Sequence, residues 1–261
     1  MPEPSTTHNA SPLFSLQGQL ALITGGGSGI GFYIAQAMVA SGAKVVITGR
    51  REEVLKEAVA QLGGAAAYVQ NDITDLKGIP ALVDHVEATY GTIDILVNNA
   101  GVNMKKHAVE VTDEDFDRIV QTNLHAVFSL TRECGKKMIA RKSGSILMIT
   151  SMAALYGIDR VVAYTASKSA IGGMVKALTT EFSPHNVRVN AIAPGFIETP
   201  MMLTAMNGDI NRRDKAMDRT PMGTWGQPDD IGYAAVFLSS PAAKFITGVT
   251  LPVDGGNSIG F

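Results

Sequence analysis

Short apolar stretches recur along the chain at residues 20–24, 44–48, 66–70, 94–98, 145–150, 187–192 and 248–253. Most are apolar nearly throughout and do not alternate with polar positions. Strands covered on both faces read this way, as in a parallel sheet. Between them lie longer stretches of helical periodicity: 29–41, 51–62, 78–90, 113–141, 163–182 and 228–239. In the first of these Ile30, Ile34, Ala37 and Met38 share a stripe. Pro80 suits a first helical turn, and Asp113, Glu114 and Asp115 suit the positive N-terminal end of 113–141. This alternation predicts one α/β domain over residues 14–261, a doubly wound, parallel, seven-stranded sheet with helices on both faces. Residues 1–13 are expected to form a flexible tail.

One stretch breaks the rhythm. Residues 197–225 carry Met201, Met202, Met206, Met217 and Met222 and an Asn207-Gly208-Asp209 turn. An insertion after the C-terminal end of a strand lies on the ligand face of such a sheet, so 197–225 is expected to be a substrate lid.

Composition narrows the function classes. The 261 residues carry a formal net charge of −2, with both signs interspersed, which argues against a nucleic-acid surface. No apolar run approaches the roughly 20 residues a membrane span requires. The N-terminal residues lack the basic and apolar regions of a signal peptide, and a cytoplasmic protein is expected. Cys134 is the only cysteine, so no intrachain disulfide forms, and it reads as a packing residue on a helix. The five histidines show no metal-ligand spacing.

The first apolar stretch runs into Thr24-Gly25-Gly26-Gly27-Ser28-Gly29-Ile30-Gly31, and a helical stretch follows. Glycines there allow a tight turn and a close approach to a pyrophosphate, and the helix N-terminus offers N–H groups to the anion. The spacing Thr-Gly-x-x-x-Gly-x-Gly resembles that of the short-chain dehydrogenase/reductase family, and the resemblance extends over residues 13–256. It implies a Rossmann fold and an NAD(P) cofactor held by Gly25, Ser28, Gly29, Ile30 and Gly31. The second strand ends Gly49-Arg50-Arg51, with no acid to accept from a ribose 2′-hydroxyl, whereas Arg50 suits a 2′-phosphate. NADP(H) is therefore the expected cofactor, with NAD(H) as the alternative. The resemblance adds Asp72 and Ile73 at the adenine, although Asp72 also reads as a cap for the following helix. It further adds Asn98, Ala100 and Gly101 of Asn98-Asn99-Ala100-Gly101 near the ribose. Pro194, Gly195, Ile197 and Thr199 would lie at the nicotinamide, the Ile197 backbone and the Thr199 hydroxyl holding its carboxamide.

Tyr164 and Lys168 stand four apart on one helical face, and Ser151 ends a strand thirteen residues before Tyr164. With Asn123 they resemble the family's catalytic tetrad. A carbonyl that takes hydride needs a proton, and the reverse reaction needs a base. A free tyrosine has a pKa of about 10, and a neighbouring ammonium from Lys168 favours the phenolate. Ser151 donates to the substrate oxygen where charge develops. By the resemblance, Lys168 also holds the nicotinamide ribose, and Asn123 disturbs its helix and holds a water that links Lys168 to solvent.

Several stretches are similar to gluconate 5-dehydrogenases and 2-deoxygluconate 3-dehydrogenases: Phe14-Ser15-Leu16, residues 78–83, Arg219-Thr220-Pro221 and Trp225-Gly226. Sugar acids carry a carboxylate, so Arg160 and Lys105 are candidate contacts, with Met104 and Met202 as further pocket residues. The lid methionines favour a less polar substrate and keep a 3-oxoacyl-thioester or general ketone reductase as the alternative. A nicotinamide-binding regulator without turnover is the alternative from another class. The family resemblance also implies a homotetramer.

Overall fold

The computed structural model describes residues 12–206 and 210–260. The expected tail at 1–13 lies outside these apart from Pro12 and Leu13, which open a 3-10 turn, Pro12–Phe14. The Asn207-Gly208-Asp209 turn also lies outside them.

Seven parallel strands are present: β1 (Leu20–Thr24), β2 (Lys44–Gly49), β3 (Ala66–Gln70), β4 (Ile93–Asn98), β5 (Gly144–Ile149), β6 (Val187–Pro194) and β7 (Thr250–Val253). Their order across the sheet is β3-β2-β1-β4-β5-β6-β7. The order reverses between β1 and β4, and such a switch point opens a crevice at the C-terminal strand ends. Each of the seven expected strands forms, with ends shifted by up to two residues. Gly248, in the left-handed region at φ +81°, delays β7 to Thr250.

Both sheet faces are apolar because both are covered. Ala21 and Ile23 face a layer made by Ile34 and Met38 of α1 (Gly29–Ala40), Leu55 and Ala58 of α2 (Glu52–Leu62), and Ile231 and Ala235 of α9 (Pro228–Ser239). Leu20 and Leu22 face the other layer. Its helices are α3 (Ile79–Tyr90) with Val83, α5 (Ala126–Arg141) with Leu130 and Met138, and α6 (Val162–Phe182) with Ile171 and Val175. Cys134 is buried on α5, as its packing role requires, and burial pushes its thiol up to about 12.

The long helix expected over 113–141, with a disturbance at Asn123, is three pieces. α4 (Asp113–Val120) starts at Thr112, whose side chain accepts from the Asp115 N–H while Asp115 accepts from the Thr112 N–H. A π turn, Gln121–His125, then interrupts the helix before α5. The cause is Asn123, fully buried inside that turn. Its Oδ1 accepts from the Val102 N–H at 2.8 Å and its Nδ2 donates to the Val102 carbonyl at 2.9 Å. The turn widens to let the side chain reach the segment after β4.

Between β6 and α9 lie α7 (Pro200–Met206) and α8 (Ile210–Asp218). Among the described residues no helix is long and apolar enough to cross a membrane. No group of three or more His, Cys, Asp or Glu among them is placed to hold a metal ion.

Candidate active site

The sequence-predicted site residues all lie on or beyond the C-terminal edge of the sheet. At the β1–α1 turn, Gly25 sits in the left-handed region at φ +65°. A Cβ on Gly31 would strike the Gly25 carbonyl and the Asn99 side chain, so glycine is required there by close approach. Asn99 holds the turn in place, its Nδ2 donating to the Thr24 carbonyl at 2.9 Å and the Gly25 carbonyl at 3.2 Å. Thr24 Oγ1 accepts from the N–H groups of Asn99 and Ala100, both at 3.0 Å. Thus β1 and β4 are fastened to each other at the switch point. Ser28 stands at the N-cap of α1 without a side-chain cap bond, and no acidic residue lies in the first helical turn. That leaves the positive end of α1 directed at the crevice, where a pyrophosphate would complement it.

The outer strands continue this cradle. Arg50 is exposed at the end of β2, next to half-buried Gly49. Among the described residues neither Arg50 nor Arg51 joins an ion pair; Glu52 and Glu53 pair with Lys56 instead. Asp72 Oδ1 accepts from the Thr74 N–H at 3.0 Å and the Thr74 hydroxyl at 2.8 Å, which holds its carboxyl below the usual range, with Arg50 adding to the effect. It therefore caps its own turn. Helix α3 begins later, with Gly78 at its N-cap, so Asp72 does not cap that helix. Ile73 packs partly buried against the second core layer, as Ile30 does against the first. Beside Asp72, the buried Oδ1 of Asn71 has no hydrogen-bond partner, an open acceptor at the end of β3.

At the end of β4 the side chain of Asn98 turns away from the crevice and donates to Thr131 Oγ1 at 2.9 Å. Only its backbone is left to meet a cofactor. Gly101 is exposed, and a Cβ there would lie 3.3 Å from Asn123 Oδ1 and 3.4 Å from Lys168 Nζ. The missing side chain keeps the approach to Lys168 clear. An NAD(P) molecule fits this lining: bare glycines, an open helix N-terminus, an unpartnered acceptor and a cleared path to the buried lysine.

The catalytic candidates converge from three elements. Ser151 follows β5, and its Oγ accepts from the Ala153 N–H at 3.1 Å. Tyr164 and Lys168 lie in the first turns of α6, with Lys168 Nζ 5.7 Å from the centre of the Tyr164 ring. Nζ donates to the Ile149 carbonyl at 2.7 Å. Lys168 is 5% exposed, and burial lowers it to about 8. Burial pushes the Tyr164 phenol up, while a hydrogen bond from Ser151 pulls it back. The expected lowering of Tyr164 by Lys168 is thus not the dominant influence here. Desolvation is larger, and the lysine is turned toward a strand carbonyl. Asn123 commits its side chain to Val102 and, through Nδ2 at 3.2 Å, to Ser167 Oγ.

Beyond β6, Gly195 packs so closely that a Cβ would lie 2.6 Å from Asp254 Cα. Ile197 bridges to Gly226 through the Phe196 carbonyl and the Glu198 N–H. Its own N–H and carbonyl then face the opposite side. Thr199 accepts from the Met202 N–H at 3.2 Å and starts α7, and its hydroxyl proton stays available to a carboxamide. Met202 is half-buried on α7, and Met104 lies 3.7 Å from Arg118 Nη2 through its sulfur. Lys105 is exposed. Arg160 is exposed too, in the left-handed region at φ +63°, its carbonyl accepting from the Lys106 N–H at 2.8 Å. Asn71, Tyr156 and Asn257 stand at no motif position and escaped the sequence; Arg219 stood there only as part of the stretch Arg219-Thr220-Pro221, with no role assigned to it.

Comparison with known proteins agrees with this geometry. The family profile described as enoyl-(acyl carrier protein) reductase matches residues 25–258. A 2-dehydro-3-deoxy-D-gluconate 5-dehydrogenase of Pseudoalteromonas atlantica is 41% identical over 248 residues, covering 93% of this chain and 97% of the relative. A 3-oxoacyl-[acyl-carrier-protein] reductase of Thermotoga maritima is 37% identical, covering 92% and 98% respectively. The crystal structure of a gluconate 5-dehydrogenase from Burkholderia cenocepacia, in complex with NADP and tartrate, superposes with a TM-score of 0.91 at 35% identity, covering 96% of this chain and 99% of that one.

Proposed function

The chain belongs to the short-chain dehydrogenase/reductase family and is an NAD(P)-dependent oxidoreductase acting on CH–OH groups; from that premise we propose that its substrate is a sugar acid and its preferred cofactor NADP(H). The observation that carries the catalytic reading is buried Lys168, its Nζ 5.7 Å from the centre of the Tyr164 ring, with Ser151 following β5 at the same edge of the sheet. The nicotinamide, when bound, accepts or supplies the hydride. Tyr164 gives the proton to the substrate oxygen in reduction and takes it in oxidation. Ser151 donates to that oxygen and stabilises the charge that builds on it. Lys168, as an ammonium, favours the phenolate and would hold the nicotinamide ribose. The cradle at Gly25, Ser28, Gly29, Ile30 and Gly31 receives the pyrophosphate. Arg50 meets the 2′-phosphate, Asp72 and Ile73 the adenine, and Ala100, Gly101 and the Asn98 backbone the ribose. Pro194 and Gly195 would lie at the nicotinamide, and the Ile197 backbone and the Thr199 hydroxyl would hold its carboxamide.

The sugar-acid assignment is supported by the names of the relatives and by cations on the rim: Arg160 and Lys105 would draw in an anion. The methionines of 197–225 favour a 3-oxoacyl-thioester instead, and the Thermotoga maritima reductase gives that reading weight. In either case α7 and α8 form the lid, with Met104 and Met202 against the substrate. The proposal extends to a cytosolic homotetramer, supported by the apolar Phe128 of α5, Val162 of α6 and Phe245, all exposed in the single chain. Light scattering of the purified protein reads the assembly. The substrate is tested by following reduced-cofactor absorbance with NADP⁺ or NAD⁺ against a panel of sugar acids, polyols, 3-hydroxyacyl thioesters and secondary alcohols. Turnover confined to thioesters or apolar alcohols would overturn the sugar-acid reading.

A further inference from the structure

Three segments distant in sequence meet at one arginine. Tyr156 lies five residues past Ser151 on the segment that leaves β5, Arg219 follows α8, and Asn257 follows β7. The Arg219 guanidinium lies over the Tyr156 ring, 4.1 Å from its centre. Its Nε donates to the Asn257 carbonyl at 3.0 Å. Asn257 is fully buried. Its Nδ2 donates to the Thr220 hydroxyl at 2.9 Å and the Ala216 carbonyl at 3.3 Å, and its Oδ1 accepts from the Tyr156 hydroxyl. That hydroxyl also reaches Met152 Sδ at 3.3 Å, and Met152 adjoins Ser151. The C-terminal segment thereby ties the second half of the lid to the segment carrying the catalytic serine.

The cation at the centre of this tie has no anion among the described residues. Elsewhere on the same edge Lys106 pairs with Asp115 at 2.8 Å, and Arg118 approaches the same carboxylate at 4.0 Å. Arg219 is half-buried and forms no ion pair among the described residues. Asp254, whose charge reaches Tyr156, has its oxygens taken by the N–H groups of Gly256 and Ser258, at 3.0 and 2.7 Å. A stacked, partly desolvated guanidinium lacks a counter-charge among the described residues, and its planar fork matches a carboxylate through two parallel N–H···O bonds. Stacking and the Nε bond already fix its rotamer, so little side-chain freedom remains to be lost on binding.

We infer that Arg219 is a specificity-determining residue that receives the carboxylate of the substrate while the reacting carbon lies at Ser151 and Tyr164. The inference rests on the sugar-acid reading and names the partner of the acidic end. Arg160 and Lys105, exposed on the rim, attract the anion, and Arg219 orients it.

The test compares wild type, Arg219→Gln and Arg219→Lys on a sugar acid the wild type turns over and on the uncharged amide of that acid. Wild type should prefer the acid, and Arg219→Gln should lower kcat/KM for the acid about 10- to 100-fold, mainly through KM, with little change for the amide. Arg219→Lys keeps the charge without the fork and should fall between; it reads the same difference if the Gln variant does not fold. Tyr156→Leu, which removes the stacking plane, should weaken the acid selectively as well. Equal losses on acid and amide would reduce Arg219 to a structural tie, and no loss on either would place the carboxylate elsewhere; both overturn the inference alone. A wild type that turns over no sugar acid overturns the substrate reading and the inference with it.

Discussion

Replacing Lys168 with methionine should abolish turnover and yet make the cofactor-free protein more stable at neutral pH. Lys168 is buried with a carbonyl for a partner and, among the described residues, no carboxylate, and burial lowers it to about 8 from 10.5. The folded protein therefore binds this proton more weakly than the unfolded chain. Below pH 8 the lysine is charged in both states and the penalty is fully present. Between about 8 and 10.5 the folded protein releases the proton first, so stability rises with pH across that window. The gap corresponds to about 3 kcal/mol. Methionine has similar length and no charge, but it leaves the Ile149 carbonyl unpaired, which takes back about 1 kcal/mol or more. A net gain of about 1–2 kcal/mol is expected at pH 7, shrinking and then reversing as pH approaches 10.5. Urea midpoints for wild type and Lys168→Met, at fixed protein concentration and without cofactor, read the difference directly. A variant less stable than wild type at pH 7, or a difference independent of pH, would refute the reasoning. A more stable variant would show the stability forgone by keeping an ammonium where the chemistry needs it.

Three further outcomes follow from the geometry. Arg50→Ser should weaken NADP⁺ binding about 10- to 100-fold and leave NAD⁺ nearly unchanged, read by titration of each cofactor; equal losses would remove Arg50 from the 2′-phosphate. Gly31→Ala drives a Cβ into the Gly25 carbonyl and Asn99 Nδ2. It should abolish cofactor binding and cost about 1–3 kcal/mol by urea denaturation, and normal cofactor affinity would count against the close-approach argument. Thr112→Ala removes the α4 cap and should cost about 1 kcal/mol with turnover intact; an activity loss beyond the stability loss would show that α4 does more than position the π turn.

The fold was legible because a parallel sheet covered on both faces writes its strands as unbroken apolar runs, and all seven formed where the runs stood. The glycine turn and the Tyr164–Lys168 spacing were legible because they are local: four residues on a helix share a face in any context. What escaped depends on partners far along the chain. The π turn exists because Asn123 reaches Val102, 21 residues away, to satisfy both polar groups of its backbone. Periodicity over 113–141 carries no trace of that bond, and the disturbance at Asn123 was expected from the family resemblance alone. Asn98 and Asn99 are adjacent in one motif but face opposite ways, as successive strand residues do, so Asn99 binds the glycine turn and Asn98 binds Thr131. The balance at Tyr164 turned on desolvation, a property of packing that no spacing reveals. The tie between Tyr156 and Asn257 spans 101 residues and involves no recognisable motif.

The central claim is that Tyr164, set beside Ser151 and Lys168, exchanges the proton while the cofactor takes or gives the hydride. The most direct measurement is the near-ultraviolet absorbance of reduced cofactor during turnover of a sugar acid by wild type and by Tyr164→Phe, with cofactor affinity measured on both. Phenylalanine removes one oxygen and leaves the ring. Wild type should turn over, and the variant should lose about 10²–10⁴-fold or more in kcat with cofactor affinity preserved. A variant that binds cofactor and retains its turnover would contradict the account.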